Sequence, residues 1–174
     1  MKNIFFDFKR LKSMGENVII GKTVRIRYPE LVEIGNNVII DDFTYISGNI
    51  SIGNYVHIGA SCTLQAGSGI ISIGNHCGFA SGTRIFAASS DYLNPNYDMP
   101  CYPKEMRKGG IISNIIISDY CIFGANSVIL PGVEVPEGVA FGANLVVRKK
   151  TYISWHLYYD TTLEKKAVRL KHAL

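Results

Sequence analysis

The chain has 174 residues, about the size of one domain. It contains 23 Ile and 12 Val but only 10 Leu, together with 17 Gly. Because β-branched residues favour extended backbone and glycine interrupts helices, this composition excludes a helical bundle or a coiled coil. Apolar residues make up 47% of the chain, which is enough to build a core.

The net charge of +4 belongs to the end of the chain. Residues 148–174 carry seven lysines and arginines against two acids, whereas the rest carries eleven against twelve. No helix-turn-helix, RRM or zinc-finger pattern accompanies this basic segment, so we expect a small anionic ligand or a solvated surface there rather than nucleic acid. Polar residues interrupt every apolar run, so we expect no membrane insertion and a cytoplasmic protein.

Apolar residues follow a six-residue period, each with a small or β-branched residue two positions before it. Residues two apart on a strand share a side, so both positions face inward. The seventeen periodic residues are Ile20, Ile26, Ile34, Ile40, Ile46, Ile52, Ile58, Leu64, Ile73, Phe79, Ile85, Ile117, Phe123, Ile129, Val135, Phe141 and Val147. Gly and Asn, which tolerate the backbone of corners, often follow them. The repeat predicts an all-β solenoid of short parallel strands, stacked at about 4.8 Å per coil.

Three insertions interrupt the period, and the longest lies between Ile85 and Ile117. This excursion, placed at residues 86–114, contains three tyrosines, three prolines and the carboxylates of Asp91 and Asp98. Loops of this length are usually functional or disordered. The aromatic and proline content favours an ordered, functional loop.

The repeats, the excursion and the stretch Phe123-Gly124-Ala125-Asn126-Ser127-Val128-Ile129-Leu130-Pro131-Gly132-Val133 resemble the hexapeptide-repeat acyltransferases. The resemblance covers roughly residues 16–150. It implies a left-handed parallel β-helix with three hexads per coil, a homotrimer, and an acyl-coenzyme A as co-substrate.

Two segments are most similar to the branch that acylates nucleotide-linked amino sugars, such as the dTDP-4-amino-4,6-dideoxyglucose N-acyltransferases. They are Gly53-Asn54-Tyr55-Val56-His57-Ile58 and Ser90-Asp91-Tyr92. This branch implies a role in surface polysaccharide synthesis. Galactoside or polysaccharide O-acetyltransferases are close relatives of it.

The chain departs from the family pattern in two places. Residues 86–116 contain no His, although many O-acetyltransferases of the family carry a catalytic His in the excursion. This absence favours acylation of an amine, which is already nucleophilic. The Gly-x-Pro-Ala-Lys stretch expected after the last coil is replaced by Tyr158-Tyr159-Asp160-Thr161. O-acetylation of a sugar with His57 as the base, or a scaffold without activity, are the alternatives.

With three hexads per coil, the outward residues form three columns. The first is apolar and consists of Ile19, Ile39, His57, Gly78, Ile122 and Ala140. The second consists of Arg25, Tyr45, Thr63, Arg84, Val128 and Val146. The third consists of Glu33, Ser51, Ser72, Ile116 and Glu134. An apolar stripe on the exterior of a solenoid predicts contact with another subunit.

The candidate catalytic residues are Asp91, His57 and Asp98. A carboxylate beside the attacking amine can orient it or accept its proton, and the family branch has an acidic residue at the Asp91 position. An Asx turn in the loop is the structural alternative for Asp91. His57 lies in the apolar stripe as a catalytic group or as a hydrogen-bonded interface residue. The candidate substrate-binding residues are Tyr92, Tyr97, Gly78, which leaves room beside His57, and Arg84.

Two Gly-Ala corners one coil apart are candidates for binding coenzyme A. In the family, backbone amides at such corners hold the pantetheine arm, because small side chains allow close approach. A basic run beyond them lies where the phosphates of coenzyme A are expected. The candidate residues are Gly124, Ala125, Asn126, Gly142, Ala143, Arg148, Lys149 and Lys150.

No metal site is expected, although His76 adjoins Cys77. Cys77 shares its inward small-residue position with Cys62 and Cys121, which indicates core-filling thiols and no disulfides. Residues 162–174 have helical apolar spacing, which predicts a C-terminal helix that caps the solenoid. The expected organisation is an N-terminal segment (1–15), a β-helix domain (16–150) and a helical cap (151–174).

Overall fold

The computed structural model describes residues 3–93, 99–107 and 109–171. Its strands are β1 Ser13–Met14, β2 Ile19–Ile20, β3 Arg25–Ile26, β4 Val32–Ile34, β5 Ile39–Ile40, β6 Tyr45–Ile52, β7 His57–Ile58, β8 Thr63–Ile73, β9 Gly78–Phe79, β10 Arg84–Phe86, β11 Ala88–Ser89, β12 Ile111–Ile112, β13 Ile115–Ile117, β14 Ile122–Phe123, β15 Val128–Ile129, β16 Glu134–Val135, β17 Ala140–Phe141, β18 Val146–Val147, β19 His156–Tyr158 and β20 Lys166–Val168. Three single-turn 3₁₀ helices span Phe8–Arg10, Pro29–Leu31 and Lys104–Met106. None of the helices in the described ranges is long and apolar enough to cross a membrane.

The parallel strands stack into a solenoid with three faces, as the hexads predicted. Face 1 has the strand order β2-β5-β7-β9-β14-β17-β19-β20. Face 2 stacks β3, β10, β15 and β18 with the first parts of β6 and β8, and face 3 stacks β1, β4, β13 and β16 with their second parts. The register brings together each of the three outward columns listed from the sequence. The fold class predicted from the repeats is confirmed.

The inward side chains form one continuous core. All seventeen periodic residues are buried. The rings of Phe79, Phe123 and Phe141 stack on successive coils, with centroids 5.0 and 5.2 Å apart. Cys62, Cys77 and Cys121 are buried free thiols, as their inward position predicted. A change of volume at one coil is felt by its neighbours, because the interior is close-packed.

The Gly-Asn pairs at the corner between face 3 and face 1 have a structural role beyond backbone freedom. The side-chain oxygen of Asn54 accepts the backbone N–H of Asn36 in the preceding coil, at 2.8 Å. Asn75 and Asp119 repeat this contact one and two coils later, at 2.9 and 2.7 Å. Each coil thus satisfies a corner donor of the coil before it, which fixes the stacking.

The C-terminal helix predicted for residues 162–174 is wrong over residues 162–171, and the last three residues lie outside the described part of the chain. Leu163 is buried, but Leu170 is 82% exposed, and β20 pairs antiparallel with β19 to form a hairpin. The carboxylate of Asp160 accepts the N–H groups of Glu164 and Lys165 and makes the turn. The open edge of β19 offers backbone partners that a separate helix would leave unpaired, so the segment extends face 1 instead.

Aromatic side chains from the tail close the core. The rings of Tyr152 and Tyr158 pack against Phe141, with centroids 5.1 and 5.7 Å away. The hydroxyl of Tyr152 donates to the carbonyl of Arg148 at 2.6 Å. The tail therefore covers the end of the last coil, although not with a helix.

The excursion leaves the solenoid as a two-stranded ribbon. After β10, strand β11 pairs antiparallel with β12, with Ala88 opposite Ile112 and Ser89 opposite Ile111. The backbone N–H of Ser113 then donates to the carbonyl of Ala87 at 3.0 Å. The base of the excursion is therefore a hydrogen-bonded ribbon. Tyr97 and Asp98 lie outside the described residues.

Candidate active site

The outward column of face 1 carries exposed aliphatic side chains. Ile19, Ile39 and Ile122 are 53%, 39% and 46% exposed. Ala140 differs from the expectation, because it is buried where the tail continues the face. The stripe predicted from the sequence therefore exists on the first coils and at Ile122.

A groove of about 420 Å³ runs from this stripe to the corner between face 1 and face 2. Its lining residues are Asp41, His57, Gly59, Gly78, Phe79, Ala80, Ser81, Ile122, Phe123 and Gly124. It brings together three residues singled out from the sequence, namely His57, Gly78 and Gly124. A Cβ atom built on Gly78 meets nothing within 4 Å, so this glycine leaves open space beside the imidazole, as expected.

His57 is paired with Asp41. The Nε2 atom lies 2.8 Å from Oδ2 of Asp41, and the two side chains are 58% and 43% exposed. An exposed pair of this kind contributes little to stability. Its effect is to orient the imidazole at the edge of the groove.

Two polar residues of the groove, Asp41 and Ser81, were not predicted from the sequence. Asp41 lies two residues after Ile39, which is the register partner of His57, so it is the diagonal neighbour of His57. Ser81 lies at the same corner position as Ala125, whose coil follows directly. The hexad register could have identified both, because it fixes which residues become neighbours on successive coils.

Asp91 makes the local turn contact expected as the structural alternative to a catalytic role. Oδ1 of Asp91 accepts the N–H of Leu93 at 3.0 Å, which is an Asx turn. Tyr92 follows it and is 87% exposed, with its hydroxyl 3.4 Å from Oγ of Ser89. Asp91 does not line the groove, so the groove as described contains no excursion residue.

Arg84 points its guanidinium back to the corner. Its Nη1 donates to the carbonyl of Gly82 at 3.1 Å, and its side chain is otherwise exposed. This places a cation next to Ser81, on the face 2 side of the groove. Such a position suits an anionic part of a ligand.

The Gly-Ala corners have a packing role as well as an open surface. A Cβ atom on Gly124 would lie 2.4 Å from the backbone nitrogen of Ala143, so the next coil requires this glycine. A Cβ atom on Gly142 would meet Tyr159 at 3.4 Å. Ala143 is exposed and Ala125 is half-buried. Ala125 and Ala143, and not the glycines, therefore provide the small, at least partly exposed side chains at these corners, and Asn126 lies beside Ala125.

The basic run beyond the corners is not uniform. Arg148 and Lys149 are exposed, whereas Lys150 is tied to the tail. Its Nζ donates to the carbonyl of Leu163 at 3.0 Å and to Glu164 at 2.9 Å. Only the first two side chains are fully presented to a ligand.

Comparison with known proteins gives the same family at three levels. The bacterial transferase hexapeptide (six repeats) family matches residues 32–66. A dTDP-4-amino-4,6-dideoxy-D-glucose acyltransferase from Escherichia coli is 36% identical, over 79% of this chain and 72% of the relative.

Solved structures extend the match to nearly the whole chain. A serine-to-cysteine variant of AntD, an N-acyltransferase from Bacillus cereus, superposes with a TM-score of 0.84 at 32% identity, over 99% of this chain and 93% of that one. That structure is a complex with dTDP-4-amino-4,6-dideoxyglucose and coenzyme A. A maltose O-acetyltransferase from Clostridium difficile 630 shares the fold alone, with a TM-score of 0.60 at 16% identity over 94% of this chain and 72% of that one.

The identity to the Escherichia coli relative extends through most of both chains, and the hexapeptide family matches part of the solenoid. The chain therefore belongs to the hexapeptide-repeat acyltransferases and is an enzyme of the nucleotide-amino-sugar N-acyltransferase branch.

Proposed function

We propose that this enzyme transfers an acyl group, acetyl being the simplest, from an acyl-coenzyme A to the amino group of a nucleotide-linked amino sugar. The observation that carries the proposal is the match of 99% of this chain to AntD solved with dTDP-4-amino-4,6-dideoxyglucose and coenzyme A. A second AntD structure holds dTDP and 3-hydroxybutyryl-CoA. The groove at the corner between face 1 and face 2 is the site where the two substrates meet.

The reaction needs an amine, a thioester and a proton acceptor. The neutral amine nitrogen attacks the thioester carbonyl, and a C–N bond forms. The C–S bond then breaks, and the coenzyme A thiolate leaves. The proton lost by the nitrogen passes to a carboxylate or an imidazole, and the thiolate takes up a proton from solvent.

Asp91 is the proposed partner of the amine, and a spacing supports it. The AntD variants solved include changes at one serine and at one aspartate ten positions later in that chain. Ser81 and Asp91 are also ten positions apart in this chain. Ser81 in the groove and Asp91 after β11 are therefore proposed to contact the amine, with Asp98 as a second carboxylate of the same excursion.

His57 is the second proton acceptor that the groove offers. Because Asp41 binds Nε2, the other ring nitrogen is available to the groove through the space above Gly78. Tyr92 and Tyr97 are proposed to pack against the sugar, and Arg84 to bind the diphosphate.

Acyl-coenzyme A is proposed to run from the groove toward the C-terminal end. Its pantetheine arm would follow the corner of Gly124, Ala125, Asn126, Gly142 and Ala143. Its phosphates would reach Arg148 and Lys149, with Lys150 shared between them and Glu164.

The apolar stripe of face 1 supports a homotrimer. Ile19, Ile39 and Ile122 are exposed on the face that also carries His57. A second subunit on this stripe would cover them and form the outer wall of the groove. We place the enzyme in the cytoplasm, where acyl-coenzyme A and nucleotide sugars occur, and its product in surface polysaccharide synthesis.

The test is thiol release from acetyl-coenzyme A with three acceptors. A dTDP-linked 4-amino sugar should release thiol, whereas a dTDP-linked sugar with a hydroxyl at that carbon and a free galactoside should not. Release with the galactoside would favour the O-acetyltransferase alternative. No release with any acceptor, together with no binding of coenzyme A in calorimetry, would favour a scaffold without activity.

A further inference from the structure

The corner between face 1 and face 2 carries an exposed aromatic ring that the proposed reaction does not use. Phe43 is 71% exposed, and its backbone has φ of 63°. For a bulky residue this left-handed conformation costs free energy, and an exposed phenyl ring forgoes the stabilisation of burial. The left-handed conformation recurs at other corners, for example at Tyr55, so it is the exposed phenyl ring on the corner that also carries the groove that a binding role explains.

The preceding coil holds Phe43 in place. The backbone N–H of Phe43 donates to Oγ1 of Thr23 at 3.0 Å. The hydroxyl of Thr23 in turn donates to Oδ1 of Asp42 at 2.6 Å. The same carboxylate accepts the N–H of Thr23 at 2.8 Å. Hydrogen bonds from Thr23 lower the pKa of Asp42, so its carboxylate stays ionised and keeps these contacts. A fixed corner therefore presents the ring.

A shelf of small residues leads from the ring to the groove. Ser61 and Gly82 occupy the corner position of Phe43 in the next two coils, as the bonds from Ser61 N to Asp42 O and from Gly82 N to Ala60 O show. Two coil spacings give a length of about 10 Å. At the far end lie the guanidinium of Arg84, bonded to Gly82, and Ser81 in the groove.

We propose that Phe43 stacks on the base of the acceptor nucleotide. The diphosphate then lies over Ser61 beside Arg84, and the sugar enters the groove at Ser81. This assignment rests on the proposed function, because it follows the order of base, diphosphate and sugar in the acceptor. Stacking on an aromatic ring and pairing with a guanidinium are the contacts that a base and a phosphate favour. Of the two nearby carboxylates, Asp42 is bonded to Thr23 and Asp41 to His57, and the guanidinium of Arg84 supplies the positive charge for the diphosphate.

The test compares Phe43→Ala with the matched control Tyr55→Ala. Tyr55 is also exposed (57%) with a φ of 57°, but it lies at the corner between face 3 and face 1. Calorimetry with dTDP should show binding about tenfold weaker for Phe43→Ala and unchanged for Tyr55→Ala. The KM for the amino-sugar nucleotide should rise by a similar factor, whereas the KM for acyl-coenzyme A stays the same. Phe43→Tyr should restore binding.

Three results would overturn the assignment. They are binding of dTDP by Phe43→Ala within twofold of the wild type, an equal loss of coenzyme A binding, or a change of oligomeric mass in light scattering, which would make Phe43 an interface residue. If Phe43→Ala does not fold, Phe43→Leu removes the ring and keeps apolar bulk. Failure of the proposed function looks different, because the wild type then binds dTDP without acylating the amino sugar, and the calorimetric comparison still decides the role of Phe43.

Discussion

The Nε2 atom of His57 lies 2.8 Å from Oδ2 of Asp41, its diagonal neighbour on the adjoining coil of face 1. The carboxylate accepts from Nε2–H, so in the neutral imidazole the lone pair is on Nδ1. The ring is thereby held in one tautomer and one orientation at the edge of a groove that Gly78 leaves open. The pair has the geometry of a proton acceptor with its orienting group.

Replacement of either partner should slow turnover through one shared mechanism. We expect His57→Asn to lower kcat by about 10²-fold, because a positioned proton acceptor contributes on this order. Asp41→Asn should lower kcat by a smaller factor, because the ring remains but loses its orientation. The double variant should be no slower than His57→Asn, because the two residues act as a unit. Unchanged kinetics of His57→Asn with an intact oligomer would remove the imidazole from the mechanism.

Asp91 should be required for its charge and not for its turn. Asp91→Asn keeps an oxygen that can accept the N–H of Leu93, so it preserves the Asx turn and removes only the negative charge. We expect Asp91→Asn to lower kcat at saturating acyl-coenzyme A by about 10²-fold. Asp91→Ala loses both the Asx turn and the negative charge, and its kcat should be no lower than that of Asp91→Asn. Wild-type activity of Asp91→Asn would assign this residue to loop structure alone.

The Gly-Ala corner should affect the acyl donor and not the acceptor. Ala143→Phe adds a ring on the exposed corner, where it blocks the proposed path of pantetheine. The KM for acyl-coenzyme A should rise at least about tenfold, which corresponds to about 1.4 kcal/mol, while the KM for the amino sugar stays constant. Ala167→Phe, at an exposed alanine of β20, is the control. An equal rise of both KM values would place the donor elsewhere.

The apolar stripe should determine the oligomeric state. Ile39 on face 1 and Ile116 on face 3 are exposed to similar degrees, 39% and 47%. Ile39→Lys places a charge on the proposed contact surface, so we expect light scattering to give the mass of a monomer. Ile116→Lys should keep the mass of the wild type. A trimer that survives Ile39→Lys and dissociates with Ile116→Lys would move the interface to face 3.

Alkaline pH should destabilise the fold through Tyr152 at the C-terminal end. Burial raises the pKa of Tyr152 from about 10 to about 12, because the charged phenolate would be removed from water. The folded state therefore holds this proton more tightly than the unfolded state. The contribution of protonated Tyr152 to the free energy of unfolding is fully present below pH 10. It is lost as the pH rises toward 12, by at most about 2 kcal/mol.

Urea unfolding at pH 9 and pH 11.5 measures this loss. Tyr152→Phe should start less stable at pH 9, because it lacks the hydrogen bond to Arg148, and should lose less stability between the two values. An equal loss in both proteins would assign the alkaline transition to other groups.

The sequence predicted the solenoid because its signal is periodic and local. Each hexad places an anchor and its partner on one side, and the register of one coil fixes that of the next. Stacking alone therefore positions Ile19, Ile39, His57 and Gly78 correctly. The same register makes Asp41 the diagonal neighbour of His57, so this contact is also predictable from the sequence.

The tail could not be predicted in this way, because its conformation is set by a partner distant in sequence. Residues 162–171 have helical apolar spacing, yet the free edge of β19 and the carboxylate of Asp160 provide backbone partners for an extended strand. The pairing of Lys150 with Glu164 likewise depends on this hairpin. Propensity is a weak guide where tertiary hydrogen bonds compete with it.

The most direct test of the account is the chemical bond in the product. The enzyme should be incubated with acetyl-coenzyme A and dTDP-4-amino-4,6-dideoxyglucose, and the product treated with alkaline hydroxylamine, which cleaves oxygen esters, before mass spectrometry. We expect a sugar nucleotide heavier by one acetyl group that survives hydroxylamine, because the bond is an amide. An acetyl group that hydroxylamine removes would be an ester on a hydroxyl and would contradict N-acylation.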